Sequence, residues 1–155
     1  MAIAEDMRAR GRSVLLLVDS LTRVARALRE IGLAAGEPPT RRGFPASVYA
    51  AIPEIIERAG TTGGGAITGL FTVLVEGDGE GDPIAEEVRS LTDGHITLSA
   101  EIAARGRYPA ISVTQSLSRI APAIAAPEDL DAAGTARDLM AAYEEVELLL
   151  RHCRR

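Results

Sequence analysis

SVLLLVDSLTR, residues 13–23, is the stretch on which the fold turns. Val14 to Val18 form an unbroken apolar run that ends on a carboxylate, Asp19, followed by Ser20. A continuous apolar run of strand length marks a central parallel strand, rather than an alternating edge strand. SLTRVARALREIGLAAG follows at once. Its Leu21, Val24, Ala25, Leu28 and Ile31 recur three and four apart on one helical face, with Arg23, Arg26, Arg29 and Glu30 elsewhere. Gly36 and the pair Pro38-Pro39 close that helix. Asp19 is then expected at the carboxyl end of its strand, where open parallel sheets bind ligands.

The alternation continues outward. A helix is expected over about 46–59, a turn at TTGGG, and a second buried strand from Ala66 to Glu76. Pro83 opens a helix through about Leu91, GHITLS reads as a strand, and EIAARG as a short helix. YPAISV is a strand or an extended segment, and a long helix runs from about Glu128 to Leu150. Residues 1–12 are polar and Arg-rich, an extension or a short helix. The pattern implies an α/β class with a largely parallel sheet flanked by helices.

Composition narrows the class. A chain of 155 residues is enough for one domain with a core. The net charge of -5 gives no reason to expect nucleic acid as a partner. All 17 basic residues are Arg, so no lysine is present. The single cysteine, Cys153, fits a reducing compartment, and beside His152 it lacks the further ligands a metal site needs. The strongest apolar run is far below the ~20 residues that span a bilayer. A cytosolic location is expected.

Several stretches carry candidate chemistry. A strand-end carboxylate suits Mg²⁺, which prefers hard oxygen ligands and keeps several waters. The competing reading of Asp19 and Ser20 is a plain helix cap. GTTGGG, 60–65, leads into a strand and is followed by no lysine, so it reads as a connection rather than a phosphate loop. Asp78, Glu80 and Asp82 alternate like calcium ligands, but a calcium loop would need Gly and Glu where Pro83 and Arg89 stand. His95 has no nucleophile pattern around it and reads as structural. Arg41-Arg42 is a basic loop, pore-lining, partner-binding or simply solvated. Tyr108 could stack on a base, and Arg119, ending SLSR, could neutralise charge on a transferred phosphoryl group. A half-buried tyrosine and a salt-bridged arginine are the competing accounts.

Taken in order, VLLLVDSLTRVARALREIGLAAGEPPTRRGFPASVYAAIPEIIERAG, ITGLFTVLVEGD, DPIAEEVRS, DGHITLS and AARGRYPAISVTQSLSRI resemble the type III secretion and flagellar export ATPases. These are relatives of the head subunits of rotary ATP synthases. The resemblance covers roughly Ser13 to Ile120 and extends more weakly to Tyr143. It implies a partial RecA-like P-loop NTPase core. On that basis 1–12 is a polar extension, 13–126 the second half of the core, and 127–155 the start of a C-terminal helical domain. Asp19 matches the Walker B aspartate that orients Mg²⁺ through water at the phosphates of ATP. Arg23 matches the arginine of the D-S-L-T-R segment near the phosphates. Tyr108 matches the tyrosine that packs on adenine, and Arg119 the arginine finger reaching into a neighbouring subunit's site.

The resemblance further implies ATP hydrolysis that energises protein export. The implied partners are copies in a hexameric ring, central stalk and stator proteins, secreted substrates and their chaperones. The implied location is the cytoplasm, including its border with the inner membrane. The Walker A loop and the water-polarising glutamate lie upstream of the Walker B strand in that family, and neither is found in these residues. The expectation is therefore a chain inactive by itself. The alternative is a non-catalytic interaction subunit or truncated remnant that can only donate the Arg119 finger.

Overall fold

The computed structural model describes residues 1–75 and 81–153, with side chains up to residue 147. The chain divides into two compact units, Met1–Thr92 and Asp93–Arg155.

In the first unit, Ala2–Ala9 is a helix, α1, and Ser13–Val18 a strand, β1. The polar N-terminal segment is thus helical and packed. Ala4 is buried, and the Arg8 guanidinium donates to the carbonyls of Arg58 and Gly60 at 3.0 and 3.2 Å. Next come α2 (Leu21–Ala34), α3 (Ala46–Ile56), β2 (Gly60–Thr62), β3 (Gly65–Phe71) and α4 (Pro83–Leu91). The sheet order is β1-β3-β2. β1 and β3 run parallel, in register from Ser13 opposite Ala66 to Val18 opposite Phe71. β2 and β3 form an antiparallel hairpin. Its two-residue turn, Gly63-Gly64, has φ of +59° and +96°, the left-handed pair that a tight hairpin requires.

The core of this unit is Leu21 and Ala25 of α2, Val48, Ile52 and Ile56 of α3, and Ile84 and Val88 of α4. Val18, Phe71 and Val73 pack against it from the strand ends. Of the expected period-three-and-four stripe of α2, Leu21, Ala25 and Leu28 face this core, whereas Ile31 is 65% exposed. On the other face of the sheet, Leu15 and Leu17 are 62% and 67% exposed, and Leu70, opposite Leu17, is 52% exposed. β1 thus alternates in burial, although its sequence is apolar throughout.

β3 is shorter than its apolar sequence suggested, for a definable reason. Its ladder partner ends at Val18, where the chain turns into α2. Beyond Phe71 the backbone bonds to that turn instead: Thr72 N–H donates to the Val18 carbonyl at 3.0 Å, and Leu21 N–H donates to the Thr72 carbonyl at 2.9 Å. At α4, Asp82 caps the helix by accepting from the Ile84 and Ala85 amides at 2.9 and 3.0 Å. That cap is the role of the third acid of the calcium-like alternation. Asp78 and Glu80 lie outside the described residues.

The second unit holds β4 (Gly94–Leu98), α5 (Ala100–Ala104), β5 (Ile111–Ser118), α6 (Ala121–Ile124) and α7 (Pro127–Cys153). β4 and β5 pair antiparallel, with an irregularity between His95 and Thr97. The α/β class stands. Among the described residues, however, parallel pairing is confined to β1 and β3; β2 and β3 are joined by a two-residue turn that permits only antiparallel return, and β4 and β5 pair antiparallel although α5 lies between them. Arg105, at the end of α5, pairs with Glu101 of its own helix at 2.6 Å and reaches Glu147 of α7 at 3.0 Å. Glu144 accepts from the Thr114 hydroxyl of β5 at 3.3 Å.

Candidate active site

The junction of β1 and α2 assigns the helix cap. Ser20 is the cap. It has extended backbone, its side chain is buried, and its hydroxyl accepts from the Arg23 amide at 3.4 Å. Asp19 takes no part in the cap. Its side chain is exposed at the carboxyl end of β1, and its Oδ1 accepts from the Thr72 hydroxyl at 2.8 Å. The other carboxylate oxygen receives no hydrogen bond from any described residue.

The surrounding backbone explains why this carboxylate has a defined place. Besides the two bonds of Thr72, the Thr22 hydroxyl accepts from Leu74 N–H at 2.8 Å and donates to the Leu74 carbonyl at 3.3 Å. The exits of two adjacent parallel strands are thereby laced together across the start of α2. Neither threonine was singled out from the sequence. A signal was available, since Thr72 is a polar residue in the mainly apolar run 70–75 and Thr22 sits within the stripe-bearing helix.

Arg23 is exposed on the first turn of α2, four residues beyond Asp19. Carboxylate and guanidinium therefore share one end of the sheet. A carboxylate beside a hydroxyl offers the hard oxygen donors that Mg²⁺ favours. Among the described residues no group of three or more His, Cys, Asp or Glu side chains comes together.

The second unit carries the other two candidates. Tyr108 lies between α5 and β5, 76% exposed, immediately before Pro109. Arg119 follows β5 directly, and its amide donates to the Asp93 carbonyl at 2.7 Å, which anchors the position beside the entry to β4. The structure thus brings Asp19 and Arg23 together in one unit, and places Tyr108 and Arg119 in the other. His95, expected to be structural, places its Nε2 3.1 Å from the Gln115 carbonyl of β5. In the basic loop, the Arg29 guanidinium donates to the Gly43 carbonyl at 2.8 Å and lies over the Phe44 ring. Arg41 pairs with Glu86 at 3.5 Å. Among the described residues no helix is long and apolar enough to cross a membrane.

Residues 1–118 match the nucleotide-binding domain of the ATP synthase alpha/beta family. A type 3 secretion system ATPase of Sinorhizobium fredii is 59% identical over 149 residues, spanning 96% of this chain and 33% of that protein. The flagellum-specific ATP synthase of Bacillus subtilis is 48% identical over 149 residues, 96% of this chain and 34% of its own. Among solved structures, the assembled ATPase EscN of enteropathogenic E. coli superposes with a TM-score of 0.93 at 49% identity, covering 97% of this chain and 36% of EscN. EscN has also been solved in complex with its central stalk, EscO. The chain spans about a third of the length of the curated relatives it matches.

Proposed function

The chain belongs to the ATP synthase alpha/beta family, among the type III secretion and flagellar export ATPases, and we propose that it forms part of a subunit that hydrolyses ATP to drive protein export. The observation that carries this reading is the division of labour between two adjacent residues. Ser20 caps α2, so Asp19 is released for a ligand, at the strand end where parallel sheets place ligands.

On this reading each candidate has one task. Asp19 holds Mg²⁺ through water, and the cation supplies positive charge at the terminal phosphates. Arg23 lies at the same end and adds charge there. Tyr108, with its exposed ring, packs on the adenine. Arg119 acts outside its own subunit, offering its guanidinium to nucleotide bound by a neighbouring copy in the ring. Since these 155 residues contain no lysine, the phosphate grip comes from outside them. Phosphoryl transfer depends almost wholly on position and charge, which is what such residues provide.

The partners follow from the same reading: further copies in a hexameric ring, a central stalk as in the EscN complex, stator proteins, exported proteins and their chaperones. The site of action is the cytoplasm, at or near the inner membrane.

MgATP turnover tests the proposal. The 155-residue chain by itself should hydrolyse no ATP above background, and turnover there would mean that the phosphate grip lies within it. Mixed with a complete export ATPase, it should bind and raise turnover in a manner abolished by Arg119→Ala. Absence of both binding and stimulation would sink the proposal for the isolated segment, and leave the remnant reading.

A further inference from the structure

Thr72 makes a contact that neither the family match nor the proposed roles account for. We propose that Thr72 is a positioning residue for the carboxylate of Asp19, an inference that rests on Asp19 being the magnesium-holding acid. The hydroxyl has one hydrogen to give and two acceptors within reach, Asp19 Oδ1 at 2.8 Å and the Val18 carbonyl at 3.4 Å. The shorter contact is the stronger bond. It is also charge-assisted, which roughly doubles its strength over a neutral pair.

What makes the contact a positioning device is that the hydroxyl is itself fixed. The Thr72 amide donates to the Val18 carbonyl at 3.0 Å, and the Thr72 carbonyl accepts from Leu21 at 2.9 Å. Two residues on, the Leu74 amide is held by Thr22 at 2.8 Å. A β-branched side chain has few χ1 positions, so a pinned backbone pins the hydroxyl. Asp19, by contrast, is exposed and has no other donor among the described residues. Without Thr72 its carboxylate would sample several rotamers. With one oxygen held, the second is presented in a fixed direction, toward the water shell of a cation. Hydrogen bonds of this kind, from an outer group to a metal-holding side chain, commonly change metal affinity by about 10- to 100-fold.

The test belongs in a complete subunit. This segment would replace the corresponding third of the Sinorhizobium fredii relative, with Thr72 present, changed to Val, or changed to Ser. Val keeps the shape and both backbone bonds, and removes only the hydroxyl. Mn²⁺ affinity of the ADP-loaded protein, read by electron paramagnetic resonance, should fall about 10-fold or more for Thr72→Val. Thr72→Ser should restore it, and ADP affinity in the presence of a chelator should be the same in all three. A Thr72→Val protein with undiminished Mn²⁺ affinity would overturn the inference while leaving Asp19 as the magnesium acid. Loss of metal-free ADP binding would show that Thr72 serves the fold instead. If the protein with Thr72 intact binds ADP but no Mn²⁺, the reading of Asp19 fails, and the inference with it.

Discussion

The Thr22 hydroxyl engages both backbone groups of Leu74, accepting from its amide at 2.8 Å and donating to its carbonyl at 3.3 Å. Thr22 is 8% exposed, so one buried oxygen joins the first turn of α2 to the chain leaving β3. Thr22→Val would keep the volume and delete both bonds. The expected cost is about 1–3 kcal/mol of stability, the range for a polar group left without its partner. Thr22→Ser should retain most of it. Urea unfolding of the three proteins is the check, and equal midpoints for Val and wild type would refute the role.

Glu5 and Arg58 give a pH dependence with a definite sign. The Arg58 guanidinium donates to both Glu5 oxygens, at 2.7 and 2.5 Å, joining α1 to the residues after α3. The Arg58 hydrogen bonds are the main reason that the Glu5 carboxyl titrates below its ordinary value of 4.5. A depressed acid stabilises the fold fully above its unfolded pKa and loses that contribution as pH falls through the lower, folded value. Amide exchange in α1 should therefore be slower in wild type than in Glu5→Gln at neutral pH. The difference should narrow as pH falls below the ordinary carboxyl value of 4.5 and vanish once Glu5 is protonated in the folded protein as well, and it should shrink in high salt, since both groups are partly exposed. A gap that persists unchanged at pH 2 would point to packing rather than charge.

Much of this was legible in the sequence, and the exceptions are instructive. Val14 to Val18 announced a strand, and Leu21, Ala25 and Leu28 a helix, because a periodic pattern states which face will be buried. Pro83 placed the start of α4 correctly. The Gly63-Gly64 turn was visible, but the hairpin it makes was not, since GTT carries no strand pattern. The limits of β3 were set by its partner: Thr72 leaves the ladder because β1 has ended. Asp19 could be located at a strand end, yet whether Ser20 or Asp19 caps α2 is a matter of which oxygen points where. Sequence patterns do not encode that. Thr72 escaped notice for the same reason, as its importance lies across two strands and not along one.

The sheet's two faces should respond differently to truncation. Ile52 is fully buried among α2, α3 and α4, and Ile52→Ala should cost about 2–5 kcal/mol through lost burial and a residual cavity. Leu17→Ala removes a similar volume from a position that is 67% exposed. In the 155-residue chain it should fall within about 0.5 kcal/mol of wild type. If further chain packs on that face in a complete export ATPase, its cost there should rise toward that of Ile52→Ala. Denaturant midpoints in both settings measure the contrast. Equal costs in the 155-residue chain would mean that the face is already covered, by self-association.

Arg119 offers the sharpest test of how subunits cooperate. If it acts on nucleotide held by a neighbour, Arg119→Ala in a complete ring should lower turnover by about 10³–10⁵-fold, some 4–7 kcal/mol of transition-state stabilisation. Nucleotide affinity of the altered subunit should be unchanged, because its own phosphate site is intact. Asp19→Asn should be equally inactive for the opposite reason, having a finger but no magnesium acid. Mixing the two separates the models. Wherever an Arg119→Ala subunit receives the finger of an Asp19→Asn neighbour, one interface has both parts, so mixed rings should regain activity that neither ring has alone. A guanidinium acting within its own subunit could not be supplied in this way, and mixed rings would then stay as inactive as their parents.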